Sequence, residues 1–229
     1  MPRFALTFDD GPGPSTAALL DVLREFSVSA TFFLLGRNIL EAPWCDGDVA
    51  RARGLALRAL REGHLAGNHS YSHLRPDRWR EVADDVRRGE EVVRALRREA
   101  QLPEAPVPVR LPYGIRLIEQ TIAAPTGTVN AVALDPRIAV LASMGLAHVH
   151  WTSDFDDWTL GEGDGSSLAT KMAEHIERNA ALGLDAVLDL HDSGTGSSFG
   201  YQRSATVEGV RLLLGEAARR GWSTFTAPI

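Results

Sequence analysis

Short runs of apolar residues alternate along this chain with longer stretches in which apolar residues recur every three or four positions. The short runs predict buried strands, and the longer pattern is typical of amphipathic helices. Their alternation predicts βα units and a mainly parallel sheet. The predicted strands are Arg3–Phe8, Ala30–Leu35, Leu65–Asn68, Val107–Leu111, Ala147–Trp151, Ala186–Leu190 and Ser223–Thr226.

About seven helices are expected to accompany these strands. The first begins after an N-cap at Ser15, because serine side chains commonly cap helix N-termini. The segment Ile122–Asp135 contains proline, glycine and asparagine, so it is predicted to be a loop or a lone hairpin. The other clearly periodic helices are Asp48–Arg61, Arg78–Glu99, Ser167–Leu182 and Thr206–Arg220.

The composition fits one soluble domain over residues 1–229, with 44% apolar and 24% charged residues. A formal net charge of -6 argues against nucleic acid or an anionic membrane as partner. A single cysteine, Cys45, excludes an intramolecular disulfide. No apolar run is long enough for a membrane span, and no signal peptide is evident, so a cytoplasmic location is expected.

Two adjacent carboxylates follow the first predicted strand, within Thr7–Pro12. The like charges of Asp9 and Asp10 repel each other, which costs stability unless a cation lies beside them. The sequence Asp-Asp-Gly-Pro also suits a simple turn. This segment alone leaves a cation site and a turn equally open.

Two histidines four positions apart, His69 and His73, follow the third predicted strand. At this spacing they lie on one face of a helical turn, close enough to bind one metal ion. Alone, such a pair is more often a surface or capping feature. Together with Asp10 it makes an Asp-His-His set with coordination positions left open, as at catalytic zinc.

Three further polar clusters stand where predicted strands end: Arg110–Gly114, Asp154–Trp158 and Leu188–Asp192. Arg110 either keeps a carboxylate ionised or forms a salt bridge at a sheet end. The acidic loop is either functional or simply solvated, with its tryptophan a lid over the core. His191 is either a catalyst or a hydrogen-bonded core residue. Five such clusters in one chain favour a functional site over five separate structural explanations.

The five clusters, in this order, resemble the five motifs of the polysaccharide deacetylase family, the carbohydrate esterase group that shares the NodB homology domain. They span residues 7 to 192, and the stretches Leu146–Trp151 and Pro112–Ile115 are most similar to the chitooligosaccharide deacetylase branch. The resemblance implies a distorted (β/α)7-type barrel. It also implies a hydrolase that removes N-acetyl groups from amino sugars in oligo- or polysaccharides, such as chitooligosaccharides or peptidoglycan.

The resemblance assigns the hydrolytic roles residue by residue. Asp9 is implied to be the general base, oriented by Arg110. The implied ligands of one divalent metal ion are Asp10, His69 and His73. These ligand types favour zinc, and cobalt or nickel are the substitutes to consider.

The remaining implied roles concern the leaving group and the substrate. His191 is implied to be the general acid, with Asp157 as its partner and Asp154 as the second candidate. A backbone N–H, for which we select that of Tyr113, is needed for the tetrahedral oxyanion. Trp158 and Leu190 are implied to wall the pocket for the acyl methyl group.

Several positions depart from the family pattern. Gly13 stands where asparagine is frequent, and Asp189 interrupts a usually apolar run, so we expect Asp189 to face away from the pocket. The segments Ile39–Gly54 and Ile122–Arg137 are longer than in simple members and are expected to shape the substrate cleft.

Alternatives remain open at this point. The same residues would serve an amide deacylase of a small-molecule or lipid-linked amino sugar, or an O-acetyl esterase. A catalytically inactive carbohydrate-binding module would be expected to lack the base, a ligand or the acid, and all are present. A structural zinc site would need a closed shell of ligands, usually including cysteine, which Cys45 alone does not provide.

Overall fold

The computed structural model describes residues 1–115, 117–124, 127–194 and 201–227. Its strands are β1 (Arg3–Gly11), β2 (Thr31–Leu34), β3 (Leu65–Asn68), β4 (Leu117–Ala124), β5 (Gly127–Leu134), β6 (Ser153–Asp154), β7 (Ala186–His191) and β8 (Ser223–Thr224). Its α-helices are α1 (Thr16–Glu25), α2 (Gly36–Leu40), α3 (Val49–Arg61), α4 (Val82–Glu99), α5 (Pro136–Ser143), α6 (Gly165–Ala181) and α7 (Ser204–Arg220). Short 3₁₀ turns occupy Pro43–Cys45, Pro76–Glu81 and Asp157–Thr159.

The main sheet is parallel and runs in the order β3-β2-β1-β7-β6, with β8 also paired to β1. In the register of β1 with β7, Asp9 is opposite His191 and Thr7 is opposite Asp189. Side chains alternate between the two faces of a strand, so these four point to one face in two successive layers. The two layers become the upper and lower parts of the candidate site.

The other face of the sheet carries the hydrophobic core. Phe4, Leu6 and Phe8 of β1 are fully or almost fully buried, and they join a cluster that includes Leu188 and Leu190 of β7. Residues of α1, α6 and α7 complete this cluster. Because each fully buried side chain of this size stabilises the fold by about 1.5–3 kcal/mol, the cluster holds β1 and β7 firmly in place.

Two predicted strands are reduced to single pairings. Val109 bridges Asn68 on one side and His148 on the other, whereas regular strands were expected at Val107–Leu111 and Ala147–Trp151. Proline has no N–H to donate, and Pro106 and Pro108 therefore interrupt the ladder beside Val109. Beyond His148 the chain turns toward β7, where it forms β6.

The expected α/β class with a mainly parallel sheet is confirmed, and the flanking helices agree with a distorted (β/α) barrel. The predicted helix at Arg78–Glu99 begins only at Val82, since Arg78 has non-helical backbone angles within the preceding 3₁₀ turn. The segment Ile122–Asp135 belongs to an antiparallel hairpin of β4 and β5, whose residues 125 and 126 lie outside the described part. Among the described residues, no helix has both the length and the apolarity for crossing a bilayer.

Candidate active site

A cavity of about 370 Å³ opens at the carboxyl ends of the central strands. The ends of β1, β3 and β7 bring residues from distant parts of the sequence to it, as expected for a parallel α/β sheet. The polar residues that line it include Asp9, Asp10, His69, His73 and His191. All five predicted clusters therefore place residues in its lining, the third through Tyr113, and Arg110 of that cluster hydrogen-bonds Asp9.

Three side chains converge on one point in this cavity. The Nε2 atoms of His69 and His73 lie 3.5 and 3.2 Å from Oδ1 of Asp10. Potential ligand atoms of the three residues all lie within 4.8 Å of one another. Within the described ranges, Oδ1 of Asp10 is buried without a hydrogen-bond partner. A buried carboxylate oxygen facing two imidazole nitrogens is a donor set that fits one divalent cation.

The protonation states of His69 and Asp10 also suit a cation. Burial lowers the pKa of His69, so its imidazole is neutral, with a free lone pair. Nδ1 of His69 is 2.9 Å from the carbonyl oxygen of Arg110 and donates to it, which leaves Nε2 unprotonated. Burial opposes ionisation of Asp10, but nearby His73 and His191 outweigh it and hold the pKa of Asp10 below its usual range.

Unusual backbone angles place these side chains. Asp10, Ser70 and His73 have φ values of 71°, 70° and 60°, in the left-handed region that non-glycine residues seldom adopt. Conformations of this kind persist only where surrounding contacts impose them. The side-chain amide of Asn38 donates to the carbonyl of Asp10 at 2.6 Å, and is one such contact.

Helix α4 supplies the contacts for the histidine loop. The carboxylate of Asp85 accepts hydrogen bonds from the backbone N–H groups of Tyr71 and Ser72 and from the Ser72 hydroxyl. Gly89 lies so close to Asn68 and Ser70 that a Cβ atom would come within 2.3 Å of the Asn68 side chain. No local sequence pattern marks Asn38, Asp85 or Gly89, because their roles depend on neighbours that are distant along the chain.

Arg110 joins two carboxyl groups, those of Asp9 and Asp189, next to the Asp10–His69–His73 group. Its Nη1 donates to Oδ1 of Asp9 at 2.9 Å and to Oδ1 of Asp189 at 2.8 Å, and it also lies 2.7 Å from Oγ1 of Thr7. Arg110 is fully buried, and within the described part of the chain its Nη2 has no hydrogen-bond partner. One guanidinium therefore balances two buried carboxyl groups.

His191 and Asp157 form a second ion pair at the cavity. Nδ1 of His191 lies 2.7 Å from Oδ1 of Asp157, whose Oδ2 accepts from the His191 backbone N–H and the Thr206 hydroxyl. Burial disfavours the imidazolium, but the Asp157 carboxylate dominates and raises the pKa of His191 well above its usual value. Of the two candidates, it is Asp157 that contacts His191, whereas Asp154 lines the cavity.

Two expectations about β7 are corrected. Leu190 is fully buried in the core on the opposite face of the strand, and it does not line the cavity. Asp189 was expected to face away, but it lines the cavity and is bonded to Arg110. Burial and the neighbouring Asp9 raise the pKa of Asp189 well above its usual value. The predicted acyl pocket thus has a carboxyl group where an aliphatic wall was expected.

Two aromatic residues border the cavity as expected. Tyr113 and Trp158 line it and remain 47% and 51% exposed, so part of each side chain is available to a ligand. Tyr113 also has a left-handed backbone, with φ of 64°. Its turn is held by the buried Arg137, which donates to the carbonyls of Pro112 at 2.7 Å and Gly114 at 2.5 Å.

Comparison with known proteins agrees with this geometry. A family model described as polysaccharide deacetylase matches residues 2–134. The chain is 31% identical to the chitooligosaccharide deacetylase of Bradyrhizobium sp. (strain ANU 289), over 97% of this chain and 88% of that protein. It is 32% identical to the peptidoglycan-N-acetylglucosamine deacetylase PgdA of Listeria monocytogenes over 68% of its length, but spans only 27% of that longer protein.

Solved structures show the same fold. The polysaccharide deacetylase Bc1974 from Bacillus cereus superimposes with a TM-score of 0.67 at 24% identity, over 98% of this chain and 92% of that one. The catalytic domain of a peptidoglycan N-acetylglucosamine deacetylase from Eubacterium rectale gives 0.68 at 18% identity, over 99% and 89%. With the family model covering more than half of its residues, this chain belongs to the polysaccharide deacetylase family.

Proposed function

We propose that this protein is a metal-dependent N-deacetylase that hydrolyses the N-acetyl groups of amino sugars in oligosaccharides, of the chitooligosaccharide or peptidoglycan type. One observation carries the proposal. A single cavity combines the Asp10–His69–His73 group with a carboxylate fixed by an arginine and an imidazole fixed by a carboxylate. Amide hydrolysis requires these three parts, because the amide is a poor electrophile and its amine a poor leaving group.

Asp10, His69 and His73 would hold the cation, and this mixed oxygen and nitrogen set favours zinc. A bound divalent ion supplies Lewis acidity, which polarises the amide carbonyl and makes water more acidic. The hydrogen bond from His69 to the carbonyl of Arg110 fixes the orientation of that imidazole ring.

Asp9 is placed to accept a proton from the attacking water. Its Oδ1 is fixed by Arg110, so Oδ2 remains the atom for proton transfer. Oδ2 lies 3.7 Å from Nδ1 of His69, which places the base beside the Asp10–His69–His73 group. A positioned base of this kind contributes about 10²–10⁴-fold to the rate.

His191 is placed to protonate the departing nitrogen. Its Nδ1 is engaged by Asp157, so Nε2 is the atom left to face the cavity. Because the pKa of His191 is raised, its imidazole carries both ring protons at neutral pH, and the one on Nε2 can be donated. The backbone N–H of Tyr113, in the turn clamped by Arg137, is our candidate donor to the tetrahedral oxyanion.

The exposed rings of Tyr113 and Trp158 support a sugar as the substrate. Aromatic faces at the border of a polar cavity suit the apolar faces of sugar rings, whereas a site for a small molecule would be more closed. The two named relatives, a chitooligosaccharide deacetylase and a peptidoglycan-N-acetylglucosamine deacetylase, support the same substrate class.

The proposal is tested by metal binding and turnover measured on the same preparations. The protein is stripped with a chelator, reloaded with zinc, and incubated with chitooligosaccharides and peptidoglycan fragments, with acetate release followed by mass spectrometry. We expect turnover to disappear on chelation and to return with zinc. His69→Ala and His73→Ala should each lose metal affinity in calorimetric titration.

His175→Ala is the matched control, because His175 lies outside the Asp10–His69–His73 group and hydrogen-bonds Thr152 and Asn179. It should bind metal as the parent does. Undiminished metal binding by His69→Ala and His73→Ala would show the ligand assignment to be wrong. A metal-loaded parent that releases acetate from neither glycan would show the substrate class to be wrong.

A further inference from the structure

The floor of the active-site cavity is formed in part by Asp189. On β7 it lies two residues before His191, and in the sheet it is opposite Thr7, while His191 is opposite Asp9. The mouth of the cavity is at the carboxyl ends of the strands, so the layer of Thr7 and Asp189 is deeper than the layer of Asp9 and His191. Asp189 is 3% exposed and lines the cavity.

One oxygen of Asp189 is bonded to Nη1 of Arg110, the atom that also bonds Asp9. Because Asp9 and Asp189 accept hydrogen bonds from the same nitrogen, the carboxyl group of Asp189 lies directly beside Asp9, the proposed base. Its Oδ2 has no hydrogen bond to any described residue and is not fully buried, so it is available to a ligand in the cavity.

The geometry of the substrate determines which of its groups meets this floor. The scissile amide must lie between Asp9 and His191 in the upper layer. The sugar ring is the larger substituent, and it must stay toward the mouth, where Tyr113 and Trp158 are exposed. The acyl substituent is the smaller group, and it therefore points down to Asp189.

We propose that Asp189 is a specificity-determining residue that selects N-acyl groups with a hydroxyl on the α-carbon, such as N-glycolyl, over N-acetyl. This inference rests on the proposed deacylase function. An acetyl methyl group above a buried carboxyl displaces water and returns no hydrogen bond, so the carboxyl bears a desolvation penalty. A glycolyl hydroxyl at the same place replaces that water, and it can donate to a carboxylate or accept from a carboxylic acid.

Strand β7 offers no aliphatic wall for an acetyl methyl group at this depth. Its neighbouring aliphatic residues, Leu188 and Leu190, belong to the core on the other face of the strand. The residue of β1 in the lower layer, Thr7, is polar and also bonded to Arg110. Ile115 and Trp151 also line the cavity but lie outside these two strands, so the part of the floor that β1 and β7 form is polar.

The test compares two substrates that differ by one hydroxyl. Short glucosamine oligomers carrying N-acetyl or N-glycolyl groups compete in one reaction with the metal-loaded parent, Asp189→Asn and Asp189→Leu. One hydrogen bond to a charged or buried group corresponds to about tenfold or more in affinity. We expect the parent to favour N-glycolyl by about tenfold in kcat/KM, Asp189→Asn to keep that preference, and Asp189→Leu to abolish or reverse it.

Asp9→Asn is the matched control, since it removes the other carboxylate on Arg110. It should lower both rates together and leave their ratio unchanged. A parent that favours N-acetyl, or a ratio that Asp189→Leu does not alter, would overturn the proposal. Circular dichroism checks that each variant folds, and Asp189→Ala replaces Asp189→Leu if the leucine does not fit.

A binding measurement separates this proposal from the proposed function. Acetate and glycolate are titrated into the metal-loaded parent and variants by calorimetry. Glycolate chelates metal ions by itself, so the criterion is how the ratio of the two affinities changes when Asp189 is replaced by leucine. A fall of about tenfold in that ratio supports the polar floor even if neither oligosaccharide is hydrolysed, and an unchanged ratio overturns it.

Discussion

Arg110 and Arg137 are both almost completely buried, yet their guanidinium groups are used in opposite ways. Arg137 is fully engaged: its Nε and Nη2 bind the Asp135 carboxylate, and Nη1 and Nη2 bind the carbonyls of Pro112 and Gly114. Arg110 crowds three acceptors around Nη1, while its Nη2 has no partner in the described structure.

The difference separates a scaffold from a reaction centre. A buried guanidinium with complete hydrogen bonding fixes a turn at little cost. Incomplete bonding costs stability, and it is tolerated at Arg110 because two carboxyl groups, Asp9 and Asp189, need one positive charge beside them. The two arginines are buried to the same extent, so burial does not distinguish their functions. The completeness of their hydrogen bonding does. Replacing Arg110 should therefore cost far more turnover than replacing Arg137.

The largest effect is expected for Arg110→Met, which preserves bulk but removes the charge. Asp9 would lose its fixed orientation and would share a buried space with Asp189 without a cation. Turnover should fall by at least about 10²–10³-fold. Removing one partner of a buried ion pair costs about 3–5 kcal/mol of unfolding free energy. Steady-state kinetics and urea denaturation at neutral pH measure the two losses.

The pH dependence of Arg110→Met identifies the cause of its instability. Without the guanidinium, Asp189 loses the positive charge that favours its ionised form, so the stability deficit should shrink as pH falls and this carboxyl takes up a proton. Denaturation curves at pH 7 and pH 4 provide the comparison. A deficit that stays constant with pH would mean that lost packing, not unbalanced charge, is responsible.

Removal of the proposed acid should have a large effect that depends on the leaving group. His191→Ala should slow hydrolysis of an N-acetyl sugar by about 10²–10³-fold, because the amine must be protonated to depart. It should slow hydrolysis of nitrophenyl acetate much less, since that leaving group needs little protonation. Asp9→Asn should slow both, because water activation serves both. Equal losses for His191→Ala on the two substrates would make His191 a structural or binding residue.

The site residues that the sequence predicted correctly are those at the ends of the parallel strands. Asp10, His69 and His73 were identified because polar residues at the ends of parallel strands meet at one edge, and their ligand types are distinctive. Asp157 and Asp154 were left as alternatives, since several acids in one loop differ only by backbone geometry. Asp156 has φ of 50° and begins the 3₁₀ turn that directs Asp157 to His191.

The errors have a different origin. The run from Ala186 to His191 is apolar on one face only, because Asp189 and His191 share the other. The two-residue period of a strand therefore already predicted that Asp189 faces the cavity with His191, although the family pattern was followed instead. The roles of Asp135 and Arg137 could not be predicted, because they hold a turn more than 20 residues earlier in the chain.

A moderate effect is expected from pH acting through His191. Burial opposes its charge, but Asp157 raises its pKa well above the usual value of about 6.5. The acid form is the active one, so turnover should fall only as pH rises through the raised pKa. The His191–Asp157 pair also contributes to the free energy of unfolding. This contribution is fully present below about pH 6.5 and is lost as pH rises through the raised pKa of His191.

Asp157→Asn tests this assignment by removing the charge that raises the pKa. The alkaline limb of the profile of kcat/KM against pH should move to lower pH, toward that of a free imidazole. Arg137→Met should leave the position of that limb unchanged, since the main causes of the raised pKa of His191 are Asp157, Asp10 and Asp189. An alkaline limb that stays in place in Asp157→Asn would assign it to another group.

The smallest effect on turnover is expected for Arg137→Met. The variant releases the carbonyls on either side of Tyr113, whose φ of 64° is held by the surrounding contacts. It also leaves Asp135 as a buried carboxylate without its arginine, so unfolding free energy should fall by about 3–5 kcal/mol, as for Arg110→Met. Turnover should nevertheless fall by only about tenfold, because a misplaced backbone donor weakens one oxyanion hydrogen bond while base and acid remain in place.

Zinc affinity should be unchanged, because Asp10, His69 and His73 are held by other contacts. Calorimetry, denaturation and kinetics on one preparation separate the three quantities. Loss of zinc binding, or a loss of turnover as large as that of Arg110→Met, would mean that the scaffold arginine and the site arginine do not differ in the way their hydrogen bonds indicate.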